Sequence, residues 1–226
     1  DGKEIVPTDI LFIVDSSGSM NAEFNAVVFA LSQFAINFSL EEEIRWGLVV
    51  GPTQMQSSPL ETLQLVQQLD TFDAFYTAVA SMPWIGQTVS KEMLLDALYL
   101  SISNLLSPSS LPYSVGDLAW QLGIDSMPPI SAWSIDWDDD KDNVIIIFTD
   151  EDAQSFLVPF LMPNVVADLV SSIEDLTIYA FLNPSNGPSH WYGIVSVSGG
   201  KIYSLSPTGK DMYGNLMEVI DESICK

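Results

Sequence analysis

Two unbroken apolar runs dominate the pattern, Ile10 to Val14 and Val144 to Phe148. Five apolar residues without polar alternation fit a strand covered on both faces, as in a parallel sheet. After the first run the period changes. Phe24, Val27, Val28, Leu31, Phe34, Ala35 and Phe38 recur at spacings of three and four, which predicts a helix over 20–39 with its apolar face on a sheet. Ile44 to Gly51 reads as a strand halted by Gly51-Pro52. The stretch from Leu60 to Leu69 alternates less cleanly and is expected to form a short antiparallel edge strand. A short helix is expected over Phe72 to Val79, and a long one over Lys91 to Leu106 on the stripe Met93, Leu94, Ala97, Leu98, Leu100, Ile102 and Leu105.

Beyond the second apolar run, residues 153–173 hold a helix that Pro159 and Pro163 are expected to interrupt early. Leu176 to Leu182 reads as a strand. His190 to Val197 reads as a short helix ending at Gly199-Gly200, Lys201 to Leu205 as the last strand and Tyr213 to Ile224 as the last helix. Strands alternating with helices predict an α/β fold: a doubly wound, mostly parallel central sheet with one short antiparallel edge strand and helices on both faces. No repeat or linker divides the chain, so residues 1–226 are expected to form one domain.

Residues 107–142 break this rhythm with Pro108, Pro112, Pro128 and Pro129 and with Trp120, Trp133 and Trp137. Connections in α/β units usually run about 2 to 6 residues, so the segment is an insertion. Long insertions on rigid scaffolds often carry specificity, which makes the three tryptophans candidate partner-binding residues. A tryptophan-anchored flap over hydrophobic surface accounts for them equally well. The insertion ends in Asp136-Trp-Asp138-Asp-Asp140-Lys-Asp142-Asn143, where alternate acids imitate the front of a calcium loop. The turn glycine and the twelfth-position glutamate are missing, so a solvated acidic turn into the next strand is expected.

The net charge of -23 comes from 30 acids against only seven Lys plus Arg, while charged residues make up 16% of the chain. A base-poor surface of this kind is expected of an extracellular or cell-surface protein. Its field repels phosphate backbones and attracts divalent cations, so nucleic acid is not expected as a partner. No apolar run approaches the roughly 18 residues of a membrane span. Cys225 is the single cysteine, which excludes an internal disulfide and a zinc cluster.

Both apolar runs end in a carboxylate. Asp15 is followed by Ser17 and Ser19 at alternate positions, and Asp150 follows Thr149. Gly86-Gln87-Thr88 precedes the long helix; there the Thr88 hydroxyl suits a helix cap as well as a ligand. Oxygen donors without His or Cys suit magnesium, manganese or calcium. Asp15-x-Ser17-x-Ser19 after a buried strand, with Thr88 and Asp150 later in order, resembles the metal-ion-dependent adhesion site of the von Willebrand factor A domain family. The likeness extends over nearly the whole chain, including Ser198-Gly-Gly-Lys-Ile-Tyr203 as the family's late glycine turn.

The resemblance implies that Asp15, Ser17, Ser19, Thr88 and Asp150 hold a Mg2+ ion, or Ca2+ or Mn2+, whose open position accepts an acidic side chain of a protein partner. Many members have Gly where Glu151 stands, with Asp152 behind it, so these two acids are expected to border the site, to raise its affinity for cations or to repel acidic partners. An adhesion module is therefore expected. The alternatives are an accessory subunit of a chelatase-type ATPase assembly and a structural matrix protein with a stabilising ion. Catalysis is not expected. His190 is the single histidine, no Gly-x-Ser-x-Gly elbow accompanies it, and a surface or capping role suits its place at a helix start.

Overall fold

The computed structural model describes residues 5–37, 43–54, 61–82, 93–106, 135–155, 161–183 and 189–224. Strands β1 (Thr8–Asp15), β2 (Ile44–Gln54), β3 (Glu61–Asp70), β4 (Asp142–Thr149), β5 (Leu176–Leu182) and β6 (Ile202–Ser204) form one sheet in the order β3-β2-β1-β4-β5-β6. All neighbours are parallel except β2 and β3, which pair antiparallel at the edge. The expected α/β sheet with one antiparallel edge strand is thus the observed one. Its order reverses between β1 and β4, and in open α/β sheets such a switch point opens a crevice at the carboxyl ends of the strands.

Each face of the sheet carries its own helices, because alternate residues of a strand point to opposite sides. Ile10, Phe12 and Val14 of β1 face α1 (Asn21–Asn37), α2 (Phe72–Ala80) and α6 (Gly209–Ile224). Leu11 and Ile13 face α3 (Leu94–Ile102), α4 (Pro163–Val170) and α5 (Ser189–Val197). On the first face a row of rings crosses five strands: Trp46, Phe12, Phe148, Phe181 and Tyr203, with successive centroids 4.6 to 6.4 Å apart. Such pairs add about 0.5–1.5 kcal/mol each beyond the area they bury. Before β6 the chain turns at Gly199, with φ of 77°, and at Gly200, where a Cβ would meet the Ile178 carbonyl at 1.9 Å. Only glycine passes so close to a neighbouring strand.

Pro163 opens α4 instead of interrupting a helix. Its missing N–H falls where a first-turn amide has no intrahelical partner anyway. The stretch Lys91 to Leu106 gives α3 followed by a 3-10 turn over Ser103–Leu105.

The amino end of the sheet holds a polar clamp. Asp9 on β1 is fully buried, and Arg45 on β2 grips both its oxygens through Nε and Nη2. The Asp138 amide adds a hydrogen bond to Asp9 Oδ2 at 3.0 Å, and Arg45 also donates to the Asp136 carbonyl at 2.8 Å. Asn104 donates to the Ile135 carbonyl at 2.9 Å, and Trp137 Nε1 to the Ser101 carbonyl at 2.8 Å. The acidic turn is therefore tied down at its base. These bonds root Asn104 and residues 135–138 side by side at the amino end of β1.

Candidate functional site

At the other end of β1 the chain leaves the sheet and turns back on itself. The fully buried Asp15 accepts the Ser17 amide on Oδ1 at 2.8 Å, an Asx-type turn that fixes the residues after the strand. Its Oδ2 accepts the Thr149 hydroxyl at 2.7 Å, across the switch point from the end of β4. The turn carries two hydroxyls outward in sequence. Ser17 Oγ lies 2.9 Å from Ser19 Oγ, and Ser19 Oγ donates to Asp150 Oδ1 at 3.1 Å. Four of the five residues expected to hold an ion, Asp15, Ser17, Ser19 and Asp150, thus meet in one hydrogen-bonded chain. Thr88 lies outside the described residues.

Burial and charge both act on the acids here. Burial holds the Asp150 carboxyl above its ordinary range; the Ser19 and backbone hydrogen bonds pull it back, while Glu23 pushes it up further. Glu151 is also raised, first by burial and then by Asp150 and Asp152. Negative charge is crowded at this crevice, and a cation would relieve it. Among the described residues no group of three or more His, Cys, Asp or Glu side chains is placed to hold an ion. The donors that converge are instead hydroxyls and carboxylates, the hard oxygens that magnesium and calcium take. Neighbouring ligands of an octahedral ion with bonds near 2.1 Å stand about 3.0 Å apart. The separations from Ser17 to Ser19 and from Ser19 to Asp150, 2.9 and 3.1 Å, are those of the hydrogen bonds joining these oxygens and are close to that edge. The donor set and its spacing fit such an ion.

Trp120 and Trp133 lie outside the described residues. Trp137, expected beside the site, is at the opposite end of the sheet on the Ser101 carbonyl. Asp9 and Asp15 are six residues apart along β1, about 20 Å, so the clamp that holds the insertion's base does not border the crevice. The sequence pattern had not singled out Thr149, and it had marked Asp152 only as a second acid behind Glu151, not as a partner of α5. A signal for Thr149 existed: Val14 pairs with Phe148, so aligning the ends of the two apolar runs sets Thr149 beside Asp15. Asp152 Oδ1 accepts the His190 amide at 3.0 Å, and Oδ2 lies 2.5 Å from His190 Nδ1. His190 is exposed in the first turn of α5, where Asp152 caps the helix from a distant segment.

No family model matches the sequence, and no characterised protein matches it by sequence. Solved structures do share its fold. One is proximal thread matrix protein 1 from the mussel byssus, similar with a TM-score of 0.62 at 12% identity over 97% of this chain and 49% of that one. The chain spans about half the length of that protein. A likeness at this identity shows the fold alone: the doubly wound α/β sheet with helices on both faces.

Proposed function

We propose that this chain is a metal-dependent protein-binding module that works outside the cell. The observation that carries the proposal is the convergence of Asp15, Ser17, Ser19 and Asp150 at the switch point of the sheet. Ser17 and Ser19 would present hydroxyl oxygens to a Mg2+, Ca2+ or Mn2+ ion, and Asp150 a carboxylate. Asp15, fastened by the Ser17 amide and the Thr149 hydroxyl, would complete the charge balance from beneath. Thr88 joins the set on the resemblance alone. The ion supplies an open coordination position for a carboxylate oxygen of a partner protein. Glu151 and Asp152 directly follow Asp150 and add to the negative charge that acts on its loop, so a partner with several adjacent acids would be repelled. Binding rather than catalysis is the role we assign. The base-poor surface and the matrix neighbour support an extracellular setting.

A second role is favoured by that neighbour's description as a matrix protein: self-assembly with the ion as a structural support. Capture of partners from native extracts, with and without a chelator, separates the two. Loss of capture on chelation, reproduced by Ser19→Ala, supports the binding role. Unchanged capture with a lowered melting temperature supports the structural one.

A further inference from the structure

The residues that follow β4 have no regular structure, yet two helices hold them. The Glu151 carbonyl accepts Trp191 Nε1 at 3.1 Å, and Asp152 accepts the backbone amide of His190. The Gln154 carbonyl accepts the Leu95 amide at 3.0 Å, and Ser155 Oγ donates to the buried Asp96 Oδ1 at 2.7 Å. The loop is therefore strung between the amino ends of α3 and α5. Asp150 stands at its start. The gap between Asp150 and the Ser17–Ser19 turn is the gap that a bound ion must fit, and an octahedral ion tolerates little error.

We infer that Trp191 and Asp152 are the positioning residues of this site, seating the Asp150 loop on the first turn of α5 and thereby setting affinity for a divalent cation. This rests on the metal-site proposal above. Trp191 is fully buried in the cluster that holds Ile178, Ala180 and Val195, so its indole N–H is a fixed point. It grips the carbonyl of the residue next to Asp150. Asp152, two residues further on, places its carboxylate at the amino end of α5, where free amides and the helix dipole favour negative charge. The two contacts leave the backbone on either side of Glu151 little freedom to carry Asp150 away from Ser19. Groups hydrogen-bonded to a metal ligand typically govern affinity by 10- to 100-fold; Trp191 and Asp152 act one step further out, through the backbone of the loop, so the low end of that range is expected.

The test uses Trp191→Phe, which deletes the indole N–H and keeps an aromatic ring, and Asp152→Ala, with Asp152→Asn as the conservative variant. Calorimetric titration with Mn2+ is expected to show about tenfold weaker binding for Trp191→Phe and Asp152→Ala, and partial recovery for Asp152→Asn. Hydrogen exchange on the chelated proteins is the second readout. Amides of residues 151–155 and Leu95 should exchange faster in the first two variants, with β1 and β4 unchanged. Wild-type Mn2+ affinity in Trp191→Phe and Asp152→Ala overturns the inference, whatever the exchange shows. If the unaltered protein binds no Mn2+, the metal proposal fails by itself. Exchange alone then decides whether α5 seats the loop: faster loop exchange supports that seating, and unchanged exchange overturns it.

Discussion

Replacing Thr149 by Val tests the hydrogen-bonded chain at its most buried link. Thr149 is 1% exposed; its Oγ1 donates to Asp15 Oδ2 at 2.7 Å and accepts the Glu151 amide at 3.0 Å. Valine has nearly the same shape and neither capability. Losing a hydrogen bond to a charged group costs about 1.5–3 kcal/mol, and the stranded amide adds about 1–3 kcal/mol. The extra buried methyl offsets about 0.8 kcal/mol of that. A net loss of about 2–5 kcal/mol is expected in urea unfolding followed by circular dichroism, with a chelator present throughout. At about 2–4 °C per kcal/mol for a chain of this size, the melting temperature should fall by roughly 4–20 °C. Thr149→Ser restores the hydroxyl and should recover most of the loss. A valine variant within about 0.5 kcal/mol of the unaltered protein would refute the reasoning, since surface substitutions alone fall in that range.

Other perturbations bear on the charges and on the two ends of the sheet. Burial raises the Asp150 carboxyl, so the folded chain binds that proton more tightly than the unfolded one, and the ionised form costs stability above the unfolded value near 4. In chelator, Asp150→Asn should therefore melt higher than the unaltered protein at neutral pH. That advantage should fade as pH falls through the range where Asp150 takes up its proton, and added Mn2+ should no longer raise the melting temperature; a variant that melts lower in chelator at neutral pH contradicts this. Arg45→Met leaves the fully buried Asp9 without its cation and is expected to cost about 3–5 kcal/mol in urea unfolding. Trp137→Phe removes one hydrogen bond, to the Ser101 carbonyl, worth about 1 kcal/mol, and should leave Mn2+ affinity unaltered. A tenfold loss of affinity there would contradict its placement at the far end of β1.

Much of the fold was legible because β1, β4 and β5 are apolar on both faces, a pattern that amphipathic helices do not share. The edge strand was legible too: the structure has it at Glu61–Asp70, within a residue of the alternating stretch. Pro163 was misjudged because a proline within a helical pattern stops a helix or opens one according to position, and only the dihedrals at Met162 decide. Helix α6 starts four residues before the expected Tyr213: its buried stripe opens at Met212, and Gly209-Lys210-Asp211 ahead of it hold no apolar position that could mark the first turn. Asp15, Ser17, Ser19 and Asp150 were legible through motif spacing. Their supports were not. Thr149, Trp191 and Asp152 act across strands or from segments dozens of residues away, and no local pattern records such contacts. The location of the insertion's base was hidden for the same reason, since it depends on the buried Asp9–Arg45 pair.

A divalent cation seated against Ser17, Ser19 and Asp150, as proposed, would show in Mn2+ titration of the unaltered chain beside a Ser17→Ala, Ser19→Ala double variant. Electron paramagnetic resonance of free Mn2+ measures binding without any partner. The unaltered chain is expected to hold one Mn2+, displaced by excess Mg2+ or Ca2+, and the folded double variant none. Equal binding by both proteins, or none by the unaltered one, would contradict the proposed site.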